Sequence, residues 1–104
     1  MTDWISTLRH HRALAEQMAR DIPKTLSEPG IALEQATRLY QALEQQAEFM
    51  ELLSRKLEES GFDFDIVSAA ERLEDKFDQL AAEAAEKIRD LRSAGAAEGP
   101  PPKS

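Results

Sequence analysis

The stretch LEQATRLYQALEQQAEFMELLSRKL, residues 33–57, decides how the rest of the chain is read. Leu33, Ala36, Tyr40, Leu43, Ala47, Met50 and Leu57 recur at steps of three and four, and only Ser54 breaks the run. An α-helix turns once per 3.6 residues, so these positions form one stripe, a heptad seam of the coiled-coil kind. The apolar surface is wider than a seam. Leu39 and Leu53 flank it on one side, while Ala42, Phe49 and Leu52 extend it on another. A helix with so broad an apolar face needs two neighbours to cover it.

Gly61, after Ser60, is the natural C-cap of this helix, which is expected over 29–60. A third helix follows almost at once, over 65–93, with Asp63 or Asp65 as N-cap and Ser68-Ala69-Ala70-Glu71 as a competing capping box. Its seam is Ile66, Ala70, Leu73, Phe77, Leu80, Ala84, Ile88 and Leu91. Two long helices joined by a few residues form an antiparallel hairpin.

Upstream, Asp3 is a good N-cap for a first helix over 3–22, whose stripe is Trp4, Leu8, Ala15, Met18 and Ile22 with His11 at the remaining position. Pro23 is expected to end it, because its ring disfavours helical geometry at Ile22 and removes a donor. Lys24 to Gly30 is then a connection, in which Thr25-Leu26-Ser27-Glu28 and Ser27-Glu28-Pro29 offer competing starts for the second helix. The tail, residues 94–104, carries Pro100-Pro101-Pro102 and no core anchor and is expected to be disordered.

The expected fold is therefore all-α: a three-helix bundle or a long antiparallel hairpin with a shorter N-terminal helix, one domain over 1–93. The first helix falls short of the hairpin by roughly 12 Å at 1.5 Å per residue. Either the connection folds back and Leu26 helps to close the bundle, or part of the second helix stays uncovered and meets another chain.

Composition removes many functions. The 104 residues include no cysteine, which excludes disulfides, thiolate metal sites and cysteine nucleophiles. Thirteen basic against twenty acidic residues leave a net charge of −7, which disfavours direct contact with nucleic acid or anionic membrane. Charges interrupt every apolar run, and the start of the chain has no basic, apolar leader, so a cytoplasmic location is expected. Residues 1–30 are balanced at four basic and four acidic, which makes the hairpin the acidic part.

His10 and His11 are the only histidines and, as neighbours on a helix, point about 100° apart, so they do not chelate one ion together. His10 is expected in solvent and His11 partly buried on the seam. Neither a Glu-x-x-His pair, a Gly-rich phosphate loop nor a nucleophile elbow occurs. No catalytic residue, metal or cofactor is therefore expected, and the chain is read as non-enzymatic.

Two functional expectations remain. In the first, the chain is a small helical adaptor, regulator or chaperone-like protein that dimerises or holds a protein partner through Trp4, Leu39, Phe49, Leu52 and Leu53. In the second, the acidic residues Glu71, Glu74, Asp75 and Asp78 of the third helix block the nucleic-acid-binding surface of a basic protein.

Overall fold

A computed structural model describes residues 3–98 of the chain, with side chains to residue 94. It is an all-α, three-helix bundle in which α1 spans Trp4–Leu26, α2 Leu33–Glu59 and α3 Phe64–Glu98. α1 opens as its sequence dictates. Asp3 is extended, and its carboxylate accepts from the Ser6 backbone N–H at 3.0 Å and the Ser6 hydroxyl at 2.7 Å.

Pro23 does not end α1, contrary to expectation; the helix continues for another turn to Leu26. A proline forfeits one donor, and the residues after it can still bond back. The Ser27 N–H and hydroxyl both donate to the Pro23 carbonyl, at 3.1 and 2.8 Å. The extra turn also carries Leu26 into the core at 6% exposure, a burial contributing about 2 kcal/mol. Thr25 thus lies inside α1 and Ser27 closes it, so neither expected capping pattern starts α2. Gly30, at φ +85°, turns the chain, and Ile31 is buried beyond it. α2 begins at Leu33 rather than near 29, with Ala32 as an N-cap that makes no side-chain bond.

The α2–α3 turn follows the sequence closely. Gly61 takes φ +78°, its N–H donates to the Glu58 carbonyl and the Phe62 N–H to that of Leu57, both at 3.1 Å. This pair of bonds is a Schellman closure, and the half-buried Phe62 packs over it. α3 then runs on to Glu98, past the expected end at 93, because its alanine-rich last turns favour helix even without core anchors. Residues 94–98, expected to be disordered, are thus helical, and residues 99–104, with Pro100 to Pro102, lie outside the described residues.

α2 and α3 pack along most of their length, while α1 rests chiefly on α3 and touches α2 more sparingly. α1 and α3 run in the same direction: Ile5 shares a groove with Ile66, and Pro23 shares one with Lys87. The predicted seams form the core. Leu43, Met50, Leu57 and Phe77 are fully buried, and Ala36, Ala47, Ala70 and Ala84 let the helices approach closely. Ser54 is tolerated in this seam because its hydroxyl donates to the Glu51 carbonyl at 2.9 Å. Leu33, the first seam position, is instead exposed, and Ile31 is buried ahead of it. With Leu26 and Ile31 inside, the connection folds back onto the bundle as in the first expected arrangement, while Phe49 and Leu52 of α2 stay exposed as in the second. Among the described residues no helix is long and apolar enough to cross a membrane.

Candidate functional site

Where α1 crosses the middle of α2, His11 lies over Gln46 and Phe49. Its Nδ1 is 3.0 Å from Gln46 Oε1, and its ring stacks on Phe49 with centroids 4.5 Å apart and planes 25° from parallel. Burial is the main cause holding the His11 pKa below its ordinary value, aided by neighbouring His10 and opposed by the Gln46 hydrogen bond. His11 is thus the half-buried seam histidine its spacing implied, and His10 is exposed.

This crossing sorts the five expected interface residues. Gln46 and Phe49 lie three residues apart on α2, and His11 of α1 rests against both. Leu53, within a turn of the fully buried Met50 and Leu57, is core at 2% exposure, and its expected place on an outer interface is corrected. Leu39 and Trp4 are half-buried against the same core. Phe49 retains 38% of its surface despite the stacked imidazole, and Leu52 retains 56%. Three residues apart, these two are neighbours on the surface of α2 that the bundle leaves exposed. Glu48 and Lys56, both exposed, stand four residues to either side of Leu52.

The second expected site gains members from α2. Burial comes first in holding the Glu74 carboxyl above its usual range, followed by the negative charges of Asp78, Glu51, Asp75 and Glu71. Asp78 is raised by burial and then by Glu44, Asp75 and Glu51. Glu44 and Glu51 of α2 therefore face Glu74 and Asp78 of α3, and the acidic patch becomes a ridge along the hairpin. Glu44 also accepts the Tyr40 hydroxyl at 2.6 Å, and Glu51 pairs with Arg55. Among the described residues, no group of three or more His, Asp or Glu side chains is arranged to hold a metal ion.

Two features were missed in the sequence. Glu44 and Glu51 are not in the acidic group expected from the sequence, because which turn of α2 meets Glu74 depends on the hairpin register. Phe64, at the hairpin tip, is 80% exposed, and its position off the α3 seam was the available signal. The chain matches no protein-family model, no curated protein and no solved structure.

Proposed function

We propose that this chain is a non-enzymatic helical interaction module of the cytoplasm that forms a homodimer through the outer face of α2. The observation that carries the reading is the Phe49–Leu52 patch, left open by a bundle that buries the neighbouring apolar side chains of α2. A second copy suits the patch because its flanking charges are self-complementary. A two-fold axis through Leu52, with the two α2 helices antiparallel, sets Glu48 of each copy against Lys56 of the other.

Solution mass, measured by light scattering and sedimentation over a hundredfold concentration range, tests this. The wild-type chain is expected to dimerise with concentration, and Phe49→Ser/Leu52→Ser to stay monomeric with its helicity intact. Lys56→Glu is expected to weaken the dimer and Glu48→Lys/Lys56→Glu to restore it. A wild-type monomer throughout, or a dimer indifferent to both sets of changes, sinks the proposal.

The acidic ridge supports a second reading, an inhibitor that covers the basic site of a nucleic-acid-binding protein. The carboxylates contributed by both helices favour it. Such binding weakens steeply as salt rises, whereas the apolar patch keeps most of its affinity.

A further inference from the structure

Two openings among the described residues are lined by arginine and by no acidic side chain, one with Arg89 and Arg92 between α2 and α3 and one between α1 and α3. Arg9 and Arg12 of α1 and Arg72 of α3 rim a groove of about 450 Å³ between the parallel starts of the two helices. Leu8, Ile66, Ala69 and Leu73 form its apolar floor. Arg12 meets Glu16 at 3.4 Å in an exposed pair, of a kind that contributes little. Arg9 and Arg72 form no ion pair within 4 Å among the described residues, and the Arg9 charge contributes, after the Ser6 hydrogen bonds, to lowering the Asp3 carboxyl pKa. The groove lies on a different face of α1 from His11, away from the Phe49–Leu52 patch.

The extent of the groove narrows what fits it. From Ile5 to Arg12 it runs two helical turns, about 10 Å. Beyond it stand Asp3 and Asp65 at one end and, at the other, Glu16 of α1 with Lys76 of α3. A long acidic helix laid along the groove overruns the arginines and meets these carboxylates. A short molecule with one anionic head does not, and the volume falls within the range of small-molecule sites. Guanidinium forks match carboxylate and phosphate geometry alike, and the floor offers apolar surface to an alkyl chain.

We propose that this groove binds a monomeric medium-chain carboxylate, its head held between the α1 arginines and Arg72 and its tail laid over Ala69 and Leu73. The site is independent of the dimer, and Phe49→Ser/Leu52→Ser should bind the same ligand unchanged.

Calorimetric titration with sodium decanoate below its micelle concentration is the test, with acetate as head alone and decanol as tail alone. Saturable one-to-one binding of decanoate, with much weaker binding of both controls, is expected. Arg9→Gln/Arg72→Gln should weaken it about tenfold or more through loss of charge-assisted hydrogen bonds. Ala69→Leu, which fills the floor and keeps every arginine, should abolish it; circular dichroism of each variant establishes that the bundle is intact. If Ala69→Leu does not fold, the arginine variant decides. No binding of decanoate, equal binding by the arginine variant, or decanol binding as tightly as decanoate overturns the proposal. So does binding to phosphatidylglycerol vesicles without binding of free decanoate, which assigns the arginines to a membrane surface.

Discussion

α2 and α3 interlock along a continuous seam, whereas α1 is held mainly by one of them. The largest fully buried side chains, Phe77, Leu43, Met50, Leu53 and Leu57, all belong to the hairpin. α1 contributes Leu8, Ala15, Ile22 and Leu26, and its contact with α2 includes a polar group, the His11–Gln46 pair. Protein interiors open in cooperative units whose stability follows their buried apolar contacts. The hairpin is the durable unit, and α1 is the element expected to loosen first.

The strongest way to break this contrast is to remove core volume from each side. Phe77→Ala should cost about 3–5 kcal/mol and destabilise the whole chain, while Leu8→Ala, at the edge of the core, should cost about 2 kcal/mol. Chemical denaturation gives the totals, and hydrogen exchange places the second loss in residues 4–26. Equal losses spread over all three helices would erase the distinction.

The two turns offer a finer comparison. Gly30 and Gly61 both have positive φ, and a Cβ at either meets nothing within 4 Å. An alanine at each is therefore penalised by backbone strain alone, about 1–2 kcal/mol. Gly61→Ala should raise exchange throughout the hairpin, and Gly30→Ala mainly in α1. Matching exchange patterns for the two variants would show that α1 and the hairpin open together.

Acid should act on the two regions in opposite directions. His11 has a lowered pKa, so the fold favours its neutral form; that contribution is present above 6.5, its ordinary value, and is lost as pH falls through the lower folded one. Glu74 and Asp78 have raised values, so the fold favours their protonated forms. Their contribution is full below the ordinary 4.5 and 3.8 and is lost as pH rises through the folded values. Acidification below 6.5 should first loosen α1 over α2, and further acidification should tighten the hairpin. Region-resolved exchange between neutral and mildly acidic pH tests the order. Glu74→Gln should stabilise the chain at neutral pH by a few tenths of a kcal/mol, the scale of one relieved like-charge contact, and lose that advantage in acid.

The hairpin was legible in the sequence because its information is local and redundant: two seams in step, one glycine at the C-cap and a turn too short for any other arrangement. The start of α1 was legible for the same reason, through Asp3. The course of the chain from Pro23 to Leu33 was not. There a missing donor and two cap patterns competed with the burial of Leu26 and Ile31, and tertiary burial won. The interface residues divided on the same ground. Phe49 and Leu52 could be picked as flank residues from spacing, but only the packed bundle shows that Leu53 is covered and Leu52 is not. The Arg9–Arg12–Arg72 cluster joins residues about 60 positions apart, so no linear pattern announces it.

The parallel pairing of α1 with α3 also sets a timetable for a chain emerging from the ribosome. The α3 residues that share a groove with Ile5 are made about 60 residues later, a wait of roughly 3–12 s at about 5–20 residues per second. During that interval the apolar stripe of Leu8, Ala15, Ile22 and Leu26 has no partner for most of its surface. The hairpin, whose contacts are close in sequence at its turn, can zip within microseconds to milliseconds once complete. α1 is thus synthesised before the hairpin and docked after it, and the nascent chain passes through a stage in which this helix awaits protection.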